Sequence, residues 1–194
     1  MLSNAHVLAN ENLGQRGDPI LQPGDYDRGR QPKDVVGKLR RSVRLKLRDI
    51  NYVDAAIAEI NEAIGVESSS IRQLGRMSGL VLPIDTDGIR VAKLGRTTGL
   101  TFGRVSAFEL DNVVVQYDMG NLTFDNQIEI ESTGRGSFSD GGDSGSLIVS
   151  RDGFDAVGLL FAGSDQGGAG NRGLTYVNVF SNVLKELKVK LLPG

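Results

Sequence analysis

Asp140-Gly141-Gly142-Asp143-Ser144-Gly145-Ser146 is the stretch that decides the fold of this chain. Glycines stand on both sides of an acid–serine pair, and they let the main chain adopt positive φ and approach a ligand closely. A serine on such a turn can present its hydroxyl group without a bulky neighbour, and the turn can aim consecutive N–H groups at one oxyanion. By itself the stretch could also be a glycine-rich hairpin loop without chemistry. The decision depends on whether a histidine and a buried acid exist to activate Ser144.

The chain offers one histidine and one well-placed acid for this purpose. His6 is the only histidine, and it stands in a small, apolar stretch where it could equally be a core side chain. Asp54 lies in an otherwise apolar run, where its carboxylate must find a partner because burying it unpaired is costly. Alternatively, Asp54 could cap a short helix that begins at the alanines following it.

His6 in a small-residue stretch, Asp54 in Val-Asp-Ala-Ala-Ile-Ala and Ser144 in Gly-Asp-Ser-Gly-Ser follow one another in this order. The order and spacing resemble the trypsin/chymotrypsin-like serine peptidases, and most closely their bacterial-type, disulfide-free members. Chain order is informative because the same triad occurs in other orders on unrelated folds. Further stretches that match the family lie at 94–101, 158–163 and 173–177.

The resemblance implies an all-β fold of two six-stranded antiparallel β-barrels with a C-terminal helix. The family places strands before its histidine, whereas few residues precede His6, so we expect an N-terminal barrel that lacks its first strands. This partial barrel, with the histidine and the acid, is expected in residues 1–66. A polar crossover is expected in residues 67–79, and the C-terminal barrel with the serine and the final helix in residues 80–194.

Local patterns predict individual elements. Alternation of apolar and charged residues predicts a half-buried strand over residues 43–48, and the alanine- and isoleucine-rich residues 55–64 are predicted to form a helical turn. In the second half, β-branched content and alternation predict strands over 89–94, 100–108, 113–117, 127–131, 147–150 and 156–161. Apolar residues at helical spacing predict a helix over 180–191.

Composition argues against several classes of function. The chain has 22 Lys plus Arg, 24 Asp plus Glu and a net charge of −2, so neither nucleic acid nor an anionic membrane is indicated as a partner. The basic side chains of residues 34–49 are therefore interpreted as a solvated strand face rather than a polyanion site.

Cysteine is absent and histidine occurs once, which rules out thiol chemistry and Cys- or His-rich metal sites; no metal or cofactor is expected. No apolar run approaches the roughly 18 residues of a membrane span, and no signal peptide is recognisable. The 26 glycines indicate many turns, as in all-β proteins. The lack of cysteine fits a cytosolic or a bacterial secreted protein, so the compartment stays open, as does the oligomeric state.

The resemblance implies a role for each candidate residue. Ser144 would be the nucleophile, His6 the general base and then acid, and Asp54 the carboxylate that orients His6. The requirement is also physical, because a serine hydroxyl is a poor nucleophile at pH 7 without an adjacent base. The backbone N–H groups of Gly142 and Ser144 would form the oxyanion hole. Asp143 would be buried and would hold this loop through donors from nearby residues.

The resemblance also indicates which residues contact substrate. Phe138 would lie at the base of the primary specificity pocket, which favours a small or apolar side chain, although Ser137 or Ser139 could take that position. The segment that would pair with the substrate backbone consists of Phe161, Ala162 and Gly163. The implied function is a serine endopeptidase acting on peptide or protein substrates through an acyl-enzyme. The alternatives are a catalytically inactive member that binds a peptide in its cleft or at a sheet edge, and an enzyme acting on non-peptide esters.

Overall fold

The computed structural model describes residues 1–67 and 69–192 of the chain. Ser68, in the predicted crossover, and residues 193 and 194, at the end of the predicted C-terminal unit, lie outside the described residues. Within the described part, β-strands predominate and helices are few and short. The prediction of an all-β chain with a C-terminal helix is confirmed.

The N-terminal half forms an open, antiparallel sheet of four strands. Its elements are β1 (Leu2–Ser3), α1 (Ala5–Leu8), β2 (Pro19–Leu21), β3 (Val35–Ser42) and β4 (Ala56–Ile60). The strand order is β1-β4-β3-β2, so that β1 and β2 are the edges of a sheet with fewer strands than a six-stranded barrel. Small side chains such as Ala5 and Ala56 pack with Ile20 and Leu39 in its core, which allows α1 to lie close against β4.

The chain after β3 departs from the predicted strand over residues 43–48. Asn12 replaces the strand partner there: its side chain accepts from the Leu45 N–H at 2.9 Å and donates to the Leu45 carbonyl at 2.8 Å. Asn51 likewise accepts from the N–H of Lys46. These side-chain amides supply the hydrogen bonds that a neighbouring strand would give to the main chain at Leu45 and Lys46. The Leu45 side chain is buried, with 2% exposure.

The predicted helical turn over residues 55–64 is wrong. Residues 56–60 form strand β4 instead, and β4 pairs with β3 from Gly37↔Ile60 to Ser42↔Ala56. Alanine favours helices only weakly, and pairing within a sheet overrides such a preference when one face of the strand is buried.

The C-terminal half forms a closed barrel. A small hairpin of β5 (Ser70–Ile71) and β6 (Gly75–Arg76) precedes it, and its further elements are β7 (Arg90–Gly95), β8 (Gly99–Leu110), β9 (Val113–Tyr117), β10 (Gly120–Phe124), β11 (Gln127–Ser132), β12 (Leu147–Ser150), β13 (Ala156–Ser164) and β14 (Leu174–Val179). Six of these strands close the barrel in the order β11-β14-β13-β12-β7-β8. The remaining pair, β9 and β10, forms a hairpin that projects from it. The six strands predicted in this half are confirmed, whereas β5, β6, β10 and β14 were not predicted as strands.

The C-terminal helix α2 (Phe180–Leu187) follows β14 directly. It begins where the sequence predicts and ends earlier than residue 191, because Lys188 adopts a left-handed conformation with φ 52° that stops the helix. Val183 and Leu187 of α2 pack with Val53 near the end of the N-terminal half. None of the helices in the described part of the chain has the length and apolar character that a bilayer crossing requires.

Candidate active site

His6 and Asp54 come together because β1 pairs with β4 and brings α1 over the start of that strand. Asp54 lies two positions before the first residue of β4 and is fully buried, whereas the His6 side chain is 26% exposed. His6 Nδ1 and Asp54 Oδ2 form a hydrogen bond. The other carboxylate oxygen, Oδ1, accepts from the N–H groups of Ala5 at 2.6 Å and His6 at 3.2 Å. The carboxylate therefore holds both the ring and the backbone of the histidine.

Two residues of the C-terminal half also hold Asp54, and neither was identified from the sequence. The Tyr117 hydroxyl donates to Asp54 Oδ2 at 2.8 Å, and the N–H of Asp54 donates to Asn178 Oδ1 at 2.9 Å. Asn178 is itself fixed by Gln127, to which its amide donates at 2.7 Å. The side chains of Asn178 and Gln127 are both fully buried. In the sequence, the sign that could have identified them was a polar side chain within an otherwise apolar strand.

The loop of Ser144 is a pair of tight turns, closed by the Asp143 N–H on the Asp140 carbonyl and by the Ser146 N–H on the Asp143 carbonyl, each at 3.0 Å. Gly142 has φ +95°, a conformation for which glycine is favoured. Within residues 1–67 and 69–192, no protein acceptor takes the N–H of Gly142 or of Ser144. Both donors are therefore free to bind an oxyanion.

His6 and Ser144 line one cavity of about 1070 Å³, and Gly142 contributes to the same wall. The structure thus brings the histidine, the serine and the oxyanion donor predicted from the sequence to one cleft. Among the described residues, no hydrogen bond joins the Ser144 hydroxyl to the His6 imidazole. Catalytic hydrogen bonds are often long in the absence of substrate and shorten when substrate binds.

A buried ion pair between Asp143 and Lys93 holds the serine loop in place. Asp143 and Lys93 are both fully buried, and Lys93 Nζ lies 3.1 Å from Asp143 Oδ2. The carboxylate also accepts from the Thr97 N–H at 2.8 Å, the Thr98 hydroxyl at 2.6 Å and the Asp140 N–H at 3.1 Å. Lys93 was missed at the sequence level, although a lysine within the apolar strand β7 was a usable signal.

These contacts decide the charge of Asp143. Burial alone would raise the pKa of its carboxyl group, but the Thr98 hydroxyl, the Thr97 N–H and the Lys93 ammonium together hold the pKa below the ordinary value. Asp143 is therefore ionised at neutral pH, and its negative charge fixes the turn that carries Ser144.

The residues expected at the specificity pocket, Ser137, Phe138 and Ser139, line a cavity of about 280 Å³. Phe138 contributes to its wall, but the Phe138 side chain is 2% exposed and packs in the barrel core. Ser139 is half-buried beside β14, where its hydroxyl group bonds to that of Thr175 at 2.6 Å. Gly163 faces this pair, and a Cβ built on it would lie 3.6 Å from Ser139 Oγ.

The two other predicted substrate contacts, Phe161 and Ala162, are not among the residues that line that cavity. Phe161 is 3% exposed, and its ring packs against Phe124 with centroids 4.7 Å apart. Ala162 is half-buried on the same strand. Phe161 also borders a second cavity of about 440 Å³ beside His6 and Tyr117. His6 therefore lines two cavities, this one and the cavity of about 1070 Å³ that it shares with Ser144.

Comparison with known proteins identifies the fold. No protein-family model matches the chain, and no curated protein is significantly similar to it in sequence. Among solved structures, a chymotrypsin of Cellulomonas bogoriensis is 18% identical with a TM-score of 0.63, over 100% of this chain and 85% of that one. The Nocardiopsis protease NAPase is 20% identical with a TM-score of 0.61, over 98% and 84%.

A homologue of α-lytic protease, N4, is 27% identical with a TM-score of 0.54, over 81% of this chain and 73% of that one. The chain therefore shares the fold of bacterial chymotrypsin-like serine proteases, on structural grounds.

Proposed function

We propose that this chain is a serine endopeptidase that hydrolyses peptide bonds through an acyl-enzyme. The observation that supports this most strongly is the hydrogen bond from His6 Nδ1 to the buried Asp54 carboxylate, on an imidazole that borders the same cavity as Ser144. A carboxylate that accepts a hydrogen bond from Nδ1–H holds the neutral imidazole in the tautomer whose Nε2 lone pair can take the proton of a nucleophile.

The proposed reaction begins when the Ser144 hydroxyl attacks the scissile carbonyl carbon. His6 Nε2 accepts the hydroxyl proton and then donates it to the leaving amine, so that the acyl group stays on Ser144 Oγ. Water, deprotonated by His6, hydrolyses the ester and regenerates the serine. The Asp54 carboxylate stabilises the imidazolium that forms in each half of the reaction.

The tetrahedral intermediate would place its negative oxygen on the N–H groups of Gly142 and Ser144. The free state of both donors supports this role, since donors already committed to protein acceptors could not serve an oxyanion. Asp143 and Lys93 would act indirectly by keeping these donors in place. One lost donor typically costs a factor of about 10² to 10³ in turnover.

Peptide or protein substrates would lie in the cleft between an N-terminal lobe, residues 1–66, and a C-terminal lobe, residues 80–194, which residues 67–79 connect. The backbone of the substrate would pair along Phe161, Ala162 and Gly163. The side chain before the scissile bond would enter the cavity beside Ser139, whose hydroxyl is already paired with Thr175. This pairing favours an uncharged side chain there.

A non-catalytic module that binds a peptide is the second candidate. It is favoured by one observation, the lack of a hydrogen bond between His6 and Ser144 within the described residues. Under this hypothesis the cleft would bind a peptide and release it uncut.

A serine-directed fluorophosphonate probe separates the two functions. The proposal expects covalent labelling of the purified chain at Ser144, located by peptide mass spectrometry. Ser144→Ala and His6→Ala should abolish labelling, whereas Ser181→Ala, which changes an exposed serine on α2, should label like wild type. Labelling that survives His6→Ala would contradict the mechanism.

Substrate panels complete the test. Cleavage of peptides with alanine, phenylalanine, lysine or glutamate before the scissile bond, compared with simple esters, distinguishes a peptidase from an esterase and tests the uncharged preference. A folded wild-type chain that binds peptides but neither cleaves them nor reacts with the probe would favour the binding module.

A further inference from the structure

We propose that Tyr117 is a positioning residue of the active site, whose hydroxyl group holds the Asp54 carboxylate in the orientation that aligns His6. The inference rests on the proposed function of the site. Its basis is a hydrogen bond of 2.8 Å from Tyr117 Oη to Asp54 Oδ2, the same oxygen that accepts from His6 Nδ1.

The donors around Asp54 divide between its two oxygens. Within the described part of the chain, Oδ1 accepts only from the backbone, namely the N–H groups of Ala5 and His6. Oδ2 accepts only from side chains, the imidazole and the Tyr117 hydroxyl, among the residues that the structure describes. Apart from the imidazole itself, Tyr117 is thus the side chain that can fix the orientation of the Oδ2 lone pairs. That orientation determines the tilt of the His6 ring.

The hydroxyl is held in place by a hairpin that docks on the N-terminal half. Tyr117 is the last residue of β9, and the hairpin is attached through Asn51, whose N–H donates to the Thr123 carbonyl at 2.9 Å. Leu45 of the N-terminal half packs with Phe124 of β10. A rigid aromatic side chain with two torsions, on an anchored hairpin, can hold a donor within a few tenths of an ångström.

The ring contacts make the same arrangement stiffer. The Tyr117 ring meets the His6 ring edge-on, with centroids 5.8 Å apart and planes at 78°. Its other face stacks on Phe124 at 6.0 Å. Such aromatic pairs add to burial in favouring one rotamer, so the ring contributes to the position of the imidazole directly as well as through Asp54.

Tyr117 remains a donor throughout the working pH range. Burial, together with the negative charges of Asp54 and Glu11, holds the pKa of the Tyr117 hydroxyl far above its ordinary value. Among the described residues, Asp54, Glu11 and His6 are titratable groups that lie close to Tyr117, and the phenol stays neutral beside them. A hydroxyl that stays neutral does not compete with His6 as a base, and it donates its hydrogen bond to Asp54.

The test is Tyr117→Phe, which removes one oxygen and keeps the ring. Without the hydroxyl, the carboxylate is less well oriented, so kcat for a peptide or ester substrate should fall about tenfold to a hundredfold, the range expected for a hydrogen bond to a charged group. KM should change less than about twofold, because Tyr117 acts through Asp54. The acid limb of the pH–rate profile should move to higher pH, since the unshared carboxylate attracts the imidazolium more strongly.

Tyr176→Phe is the matched control. Tyr176 is a half-buried tyrosine on β14 whose hydroxyl makes no hydrogen bond to the described residues, so kcat, KM and the pH profile should stay at wild-type values. Urea unfolding of both variants checks that each is folded. Equal kcat in Tyr117→Phe and Tyr176→Phe would overturn the proposal, as would a rise in KM alone, which would assign Tyr117 to substrate contact.

A readout independent of turnover separates failure of this inference from failure of the proposed function. The chain has one histidine, so the imidazole ¹⁵N and ¹H resonances of a labelled Ser144→Ala protein belong to His6 without assignment. We expect Tyr117→Phe to move the midpoint of their pH titration upward and Tyr176→Phe to leave it in place. Unchanged resonances would refute the positioning role even in a fully active enzyme; shifted resonances in an inactive chain would uphold it and refute hydrolysis.

Discussion

Replacing Lys93 by Met tests how the serine loop is held. Lys93 Nζ and Asp143 Oδ2 are 3.1 Å apart, and both side chains have 0% exposure. At an effective dielectric constant of about 20, two unit charges at this distance attract each other by about 5 kcal/mol. The Lys93→Met variant keeps most of the side-chain volume and removes the ammonium group, so Asp143 would be left as a buried charge without its counter-ion.

The remaining donors reduce this loss. The Asp143 carboxylate keeps its hydrogen bonds from the Thr97 and Asp140 N–H groups and from the Thr98 hydroxyl. We therefore expect Lys93→Met to lower the free energy of unfolding by about 3 kcal/mol, at the lower end of the range for breaking one side of a buried ion pair. Labelling of Ser144 by a fluorophosphonate should also slow by at least about tenfold, because a shifted Asp143 moves the oxyanion donors.

The change in the free energy of unfolding is measured by urea unfolding. The signal is far-UV circular dichroism, because the chain has no tryptophan whose fluorescence could be followed. Lys38→Met, at an exposed position of β3, is the matched control and should be within about 0.5 kcal/mol of wild type. The double variant Lys93→Met/Asp143→Asn removes both charges and should be less destabilised than the two single changes added together. A Lys93→Met protein within 1 kcal/mol of wild type, with normal labelling, would refute the argument.

Two further predictions concern the same loop. Gly142→Ala should slow fluorophosphonate labelling about a hundredfold, because φ is +95° and the new Cβ would lie 2.5 Å from Arg96 Nη1; Gly141→Ala, with nothing within 4 Å of its Cβ, should label normally. The pKa of Asp143 in the folded chain lies below its ordinary value of 3.8. Between these two pKa values the unfolded chain binds more protons than the folded chain. The free energy of unfolding should therefore fall as the pH drops through that range. Urea midpoints at about pH 5 and pH 3 should therefore differ more for wild type than for Asp143→Asn, and equal differences would contradict the assigned ionisation.

Short-range patterns predicted much of the C-terminal half. Strand β12 was predicted with its observed bounds, and the start of α2 at Phe180 was also correct, because each depends on the spacing of apolar residues within a few positions. Strand β4 was predicted as a helical turn, since its alanines say nothing about the neighbouring strand β3. The ladder expected after Ser42 was replaced by the amide of Asn12, a contact that no local pattern announces.

The candidate site divides in the same way. The sequence determined the identities of His6, Asp54 and Ser144 and their order, because a lone histidine, an acid in an apolar run and a serine between glycines are each visible in a few adjacent residues. Only the tertiary structure decided what surrounds them: Lys93 beneath the serine loop and Tyr117 on Asp54, the latter pair separated by 63 positions in the chain. Burial makes such distant partners obligatory, because a carboxylate removed from water must find donors wherever the folded chain supplies them.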